Sequence, residues 1–127
     1  MSATILVVDD NPINLKLISR LLKFNGHEIL KAVDAEEAQV VLAGQLPELI
    51  LMDIALPGMD GLTLTRKLKA DERTRHIPII ALTAFAMKDD DRKAADAGCD
   101  GYISKPIDTR TLPKQIAQLL AAQGSQP

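Results

Sequence analysis

Three short runs of apolar, largely β-branched or leucine residues constrain this chain most. They are Thr4-Ile5-Leu6-Val7-Val8, Leu49-Ile50-Leu51-Met52 within a strand expected over Glu48 to Met52, and Pro78-Ile79-Ile80-Ala81-Leu82. None alternates apolar with polar residues, so each must be a strand buried on both faces. Two further runs read as strands, the more polar Glu28 to Val33 and Gly101 to Ser104. Lys31 and Glu28 place the former at a sheet edge. Between the runs lie helical patterns. Strands that alternate with helices form a parallel sheet covered on both faces. With right-handed crossovers and 127 residues, the expectation is an α/β (βα)5 doubly wound five-stranded parallel sheet, order 2-1-3-4-5.

Local signals bound the helices. Asn11 can cap the first, and Pro12 fits its first position. Leu17, Leu21 and Phe24, with Ile18 and Leu22, supply its apolar residues, and Asn25-Gly26 stops it. Asp34 and Glu37 form a capping-box pattern before the second helix, whose buried face is Ala38, Val41 and Leu42 and whose end is Gly44. Leu64 and Leu68 mark the third helix, with Arg66, Lys67 and Lys69 toward water. Asp89, Asp90 and Asp91 suit the first turn of an Ala-rich fourth helix that Gly98 ends. Asp108 opens the last helix, with Leu112, Ile116 and Leu119 inward. Pro113 predicts a kink or a late start there. Ala121 to Pro127 reads as a fraying end, and the domain is expected to span 1–122 with a flexible tail over 123–127.

The core must be aliphatic, since the chain has no Trp, one Tyr and two Phe. A net charge of −2 gives no footprint for nucleic acid. No apolar run is long enough to insert in a membrane, and Met1 to Thr4 leads straight into a strand without a secretory leader, so a cytoplasmic location is expected. Cys99 is the only cysteine, expected as a small core hydrophobe, and no internal disulfide can form. His27 and His76 fit loops and have no partner motif.

A parallel sheet brings the carboxyl ends of all its strands to one rim. Asp9 and Asp10 follow the first strand, Asp53 the third, Thr83 the fourth and Lys105 the fifth. Asp53 alone could be a turn-initiating residue before Pro57-Gly58. Three acids, a hydroxyl and an ammonium at one rim are a site. Three close carboxylates need a cation to remain ionised. An all-oxygen set suits Mg²⁺, with Asp10 and Asp53 as direct ligands, Asp9 through a water and the Ala55 carbonyl as a backbone oxygen. A carboxylate beside Mg²⁺ can attack phosphorus and form an acyl phosphate. Asp53 is the candidate nucleophile, Lys105 neutralises the phosphoryl oxygens, and the Thr83 hydroxyl can hydrogen-bond one of them.

Val8-Asp9-Asp10-Asn11, Met52-Asp53 with Leu56-Pro57-Gly58-Met59-Asp60-Gly61, Leu82-Thr83-Ala84 and Ser104-Lys105-Pro106 together resemble the response-regulator receiver domain, a flavodoxin-like, CheY-like fold. The likeness covers nearly the whole chain. It implies a phosphoryl donor, either a histidine kinase or a histidine phosphotransfer protein, and a downstream protein target. It further implies that Thr83 and Tyr102 are a switch pair controlling a surface on helix four, strand five and helix five. Ala55 and Phe85 occupy the positions that tune dephosphorylation in the family. Both are apolar, so a phosphorylated state longer-lived than that of CheY is expected.

The wording of Asp10-Asn11-Pro12-Ile13-Asn14, Thr83 to Lys88 and Gly98 to Ile107 is similar to DivK-type single-domain regulators. Receivers of hybrid histidine kinases share much of it, and a fragment of one is the alternative. Such a domain is not otherwise an enzyme; it catalyses only its own phosphorylation and autodephosphorylation. Three rivals are disfavoured. An aspartate-nucleophile phosphatase needs a second acid where Ala55 stands. A nucleotide or flavin module needs a Gly-rich loop where Asp9-Asp10-Asn11-Pro12 stands. A vestigial adaptor would not keep every chemical position filled.

Overall fold

The computed structural model of the chain describes residues 3–56, 58–83, 88–105 and 107–124. Five strands alternate with five helices: β1 Thr4–Val8, α1 Pro12–Phe24, β2 Glu28–Ala32, α2 Ala35–Gly44, β3 Leu49–Asp53, α3 Gly61–Ala70, β4 Ile79–Thr83, α4 Lys88–Ala97, β5 Gly101–Ser104 and α5 Leu112–Gly124. All strand pairs are parallel, in the order β2-β1-β3-β4-β5. The expected architecture and order are therefore those observed.

The strands explain the two-layer core. Every residue of β3 and β4 is buried, whereas the edge strands β2 and β5 are only partly buried. Ile5, Val7, Leu49, Leu51, Ile80, Leu82 and Ile103 face one side, where α1 and α5 cover them through Leu15, Ile18, Leu22, Leu112 and Ile116. Leu6, Val8, Ile50, Met52 and Ile79 face the other, against Ala35, Ala38 and Leu42 of α2 and Leu64 and Leu68 of α3. Each large aliphatic side chain so buried contributes about 1.5–3 kcal/mol.

Capping follows the sequence closely. The Asn11 side chain accepts from the Ile13 and Asn14 N–H groups, and Pro12 opens α1. Asp34 accepts from Glu37 N–H at 2.8 Å, while the Glu37 carboxylate reaches back to Val33 N–H at 3.2 Å. Gly26 and Gly98 follow their helices with positive φ, 92° and 105°. Pro113 lies at the second position of α5, which begins late, at Leu112. A first-turn proline interrupts no helical hydrogen bond.

Several local expectations are corrected. The buried stripe of α1 is Leu15, Ile18, Ser19 and Leu22, while Leu17 is 39% and Phe24 89% exposed. A serine inside the buried stripe disguised its phase. β3 ends at Asp53 and β4 at Thr83, each one residue later than the apolar runs indicate. Helix α5 continues to Gly124, because Ala121, Ala122 and Gln123 are good helix formers. The final three residues of the expected tail lie outside the described residues.

Lys69 does not point to water. Its ammonium donates to the carbonyls of Arg75 and Ile77 and to Asp100 Oδ2 at 2.9 Å. The same Asp100 oxygen accepts from Ile79 N–H at 2.8 Å. This cluster ties α3 to the start of β4 and to the α4–β5 turn. Cys99 is half-buried beside Thr65, and burial pushes its thiol pKa up, in keeping with a packing role.

His27 has a role that its loop position concealed. Its Nδ1 accepts from Ala3 N–H at 3.2 Å, holding the entry to β1, and burial lowers its pKa. The unfolded chain then binds the proton more readily, so stability falls as pH drops below about 6.5 and is level above it on this account. Urea midpoints between about pH 5 and pH 7.5 should show this slope, and His27→Gln should flatten it.

Candidate functional site

The carboxyl rim of the sheet collects the residues that the sequence nominates. Asp9 immediately follows β1, Asp53 ends β3, and Lys105 immediately follows β5. Side chains alternate along a strand, so Asp9 shares a face with Ile5 and Val7, Asp53 with Leu49 and Leu51, and Lys105 with Ile103. The parallel register then brings the three together above the α1/α5 layer. Lys105 Nζ lies 3.0 Å from Asp53 Oδ2, which it hydrogen-bonds, and 3.3 Å from Asp9 Oδ2, a contact of charge alone.

Backbone donors fix the carboxylates. Asn11 N–H donates to Asp9 Oδ1 and Ala55 N–H to Asp53 Oδ1, both at 2.9 Å. Each bond spans two residues, an Asx-type turn that holds the acid against its own loop. Asp9 is fully buried and Asp53 nearly so, whereas Asp10 and Ala55 are exposed. Carboxylate oxygens of Asp9, Asp10 and Asp53 all lie within 4.8 Å of one another.

The charges pull against burial. Burial raises the Asp9 pKa, and the Asp53 charge adds to this; the Asn11 N–H and Lys105 oppose it without cancelling it. Burial by itself would lower the Lys105 pKa. The hydrogen bond and charge of Asp53, with the Asp9 charge, outweigh that and raise it, keeping the ammonium protonated. Asp9 Oδ2 and Thr83 Oγ1 are buried without hydrogen-bond partners. Unpartnered buried oxygens are costly and mark places where an ion or ligand would satisfy them.

Thr83 ends β4 fully buried, beside the Lys105 backbone, whose N–H donates to its carbonyl at 2.6 Å. Tyr102, on the edge strand β5, is 50% exposed. Phe85 and its neighbours 84, 86 and 87 lie outside the described residues, as does Pro106. One site residue escaped the sequence reading in its reason, though not in its position. Gly61, the first residue of α3, packs directly on the backbone of Asp53 and Ile54. No local signal distinguishes it from a helix-start glycine.

An acid cluster with one embedded lysine, at the carboxyl rim of a five-stranded 2-1-3-4-5 sheet, is the arrangement of a receiver domain. The family model of the response regulator receiver domain matches residues 5–117, and the chain belongs to that family. Within it the chain is 46% identical over 107 residues to the polar-differentiation response regulator DivK of Brucella ovis, covering 84% of this chain and 87% of that one. Solved structures agree. The CheY-like receiver domain protein of Methanospirillum hungatei superposes with a TM-score of 0.90 at 30% identity, covering both chains completely. The receiver domain of the sensor histidine kinase PA1611 of Pseudomonas aeruginosa, solved with a magnesium ion in its active site cleft, gives 0.86 at 34% identity. That match covers 95% of this chain and 99% of the other. Among the described residues, no helix is long and apolar enough to cross a membrane.

Proposed function

We propose that this chain is a phosphorylation-controlled switch of a two-component system or phosphorelay, with Asp53 as phosphoacceptor. The observation that carries this reading is Lys105 Nζ held between Asp53 and buried Asp9. A cation so placed faces the position where phosphoryl oxygens would bear charge, with no reorganisation needed. An Asp53 oxygen forms the bond to phosphorus as the bond from phosphorus to the donor breaks, giving an acyl phosphate. Lys105 neutralises the new charge, and the free Thr83 hydroxyl has a hydrogen bond to give.

The donor set fits Mg²⁺. It is all oxygen, its atoms converge within 4.8 Å, and Asp9 Oδ2 is a buried oxygen without a hydrogen bond. Asp10, Asp53 and the Ala55 carbonyl would hold the ion directly and Asp9 through water. When bound, it supplies positive charge that screens the carboxylates from an incoming phosphoryl group. The magnesium held by the related PA1611 receiver supports the assignment.

The donor on this reading is a histidine kinase or histidine phosphotransfer protein. The target is a protein that reads the surface of α4, β5 and α5. Thr83 and Tyr102 connect the site to that surface: the hydroxyl moves to the phosphate, and the exposed ring turns inward behind it. The higher identity to DivK, over most of both chains, favours a free-standing regulator over a receiver of a hybrid kinase. Beyond its own phosphorylation and autodephosphorylation the chain catalyses nothing. Apolar Ala55, and Phe85, cannot orient an attacking water, so the phosphorylated form persists longer than that of CheY.

Intact mass after incubation with a small phosphodonor tests this reading. One phosphoryl group should appear with Mg²⁺, be absent with a chelator, and be removed by hydroxylamine as an acyl phosphate is. Its slow loss after the donor is withdrawn reports the lifetime. No uptake by the folded protein from several donors would overturn the proposal.

A further inference from the structure

A second charged feature lies away from the acid rim, where α1 crosses the edge strand β2. A cleft of about 410 Å³ opens there, lined by Lys16, Ser19, Arg20 and Lys23 of α1 and Lys31 of β2, on an apolar floor of Pro12 and Leu15. Lys16, Arg20 and Lys23 recur at helical spacing, so they form one stripe, with Ser19 among them. Lys31 is two residues beyond Ile29, a core residue packed under α1, so it emerges on the same face of the sheet. Glu28, three residues before Lys31, takes the opposite face. Helix α1 contains no acid at all. None of the four cations is in an ion pair among the described residues.

Four unpaired cations on one cleft are a concentration of charge in a chain whose net charge is −2. Ser19 makes a second, separate observation. It is 2% exposed, and its Oγ has no hydrogen-bond partner. A helix serine ordinarily satisfies its hydroxyl on a carbonyl of the preceding turn or in water. Here no carbonyl among the described residues accepts from it, and the residue lines the cleft. The volume is within the range that small-molecule sites occupy. From Lys16 to Lys23 the stripe runs about 10 Å along the helix, the reach of two or more linked phosphates with an attached ring. We propose that this cleft binds a phosphate-bearing small molecule of nucleotide size. The cations hold the phosphates, the Ser19 hydroxyl gives one oxygen a hydrogen bond, and the Pro12–Leu15 floor carries the apolar part.

The test is titration of the isotope-labelled full chain by NMR with ADP and, separately, pyrophosphate. A chelator is kept present throughout, so that phosphates are not drawn to the acid rim through a metal. Backbone shifts centred on residues 12–23 and 29–32 are expected, saturable, and weakened by added salt. The double variant Arg20→Gln/Lys31→Gln should weaken binding about tenfold or more, and Ser19→Ala should weaken it by a smaller factor. Phosphoryl uptake at Asp53 should be unchanged in both, so loss of one property is distinguishable from loss of the other. Shifts scattered over surface lysines generally would overturn the proposal, as would affinity unaltered in the double variant. So would binding of an acidic peptide to these residues when neither ADP nor pyrophosphate binds, for the cleft would then be a protein-docking surface.

Discussion

Asp53→Asn is expected to take up no phosphoryl group from a donor that modifies the wild type with Mg²⁺, a loss of at least about a hundredfold. The amide keeps the size and shape of the carboxylate. Its oxygen can still accept from Ala55 N–H, which the wild-type Oδ1 does at 2.9 Å. The loop after β3 therefore stays in place. What is lost is the nucleophile, since an amide oxygen carries too little charge to displace a phosphoryl donor. Lys105 retains Asp9 at 3.3 Å. The fold survives, and removing one of three crowded carboxylates relieves repulsion, so thermal stability should be unchanged or slightly raised. Intact mass and a melting curve on the same sample check both halves. Uptake at the wild-type level by this variant would place the acceptor elsewhere.

Gly61→Ala is expected to destabilise the domain by about 2–4 kcal/mol and to lower its Tm by roughly ten degrees. Helix propensity alone predicts the opposite sign, since Ala is favoured over Gly in a helix by up to about 1 kcal/mol. The difference is the neighbour. A Cβ at position 61 would collide with the Asp53 carbonyl oxygen and stand 2.8 Å from Ile54 Cα and 2.9 Å from the Asp53 carbonyl carbon. These are backbone atoms of the strand end that carries the acceptor, and they cannot swing aside as a side chain does. Relief of the clash must displace Asp53 itself. A shift of about 1 Å at a reacting group can cost about a hundredfold in rate, so phosphoryl uptake should slow along with the loss of stability. Gly44→Ala is the control. Nothing lies within 4 Å of a Cβ there, and Ala should stabilise the end of α2 by a few tenths of a kcal/mol or more. Thermal melts of the two variants should move in opposite directions.

What could be read from the chain alone followed from local rules that tertiary context did not override. Apolar runs too uniform for a half-exposed strand had to be the central strands, and Lys31 with Glu28 had to mark an edge. Asn11-Pro12 and Asp34 with Glu37 had to begin helices, because they satisfy N–H groups that no other residue nearby could. Alternation of the two element types then forced the ends of all strands to one rim, and with them Asp9, Asp53, Thr83 and Lys105.

Where reading failed, the deciding contact was distant in sequence. Leu17 and Leu15 are equally apolar, and only packing against β1 and β2 chooses Leu15. Lys69 looks like any surface lysine until Ile77, Arg75 and Asp100 are brought to its ammonium. His27 looks like a loop residue until Ala3 donates to it.

The sequence by itself determined the order of elements, the sheet they form and the chemical types at its rim, because periodicity and capping act within a few residues. Only the tertiary structure decided that Lys105 touches two acids at once, that Asp9 Oδ2, Ser19 Oγ and Thr83 Oγ1 are buried without hydrogen-bond partners, and that Gly61 has no room for a methyl group. Those are matters of ångströms between segments tens of residues apart. Such distances are set by how two packed layers close on a sheet, which no local pattern encodes.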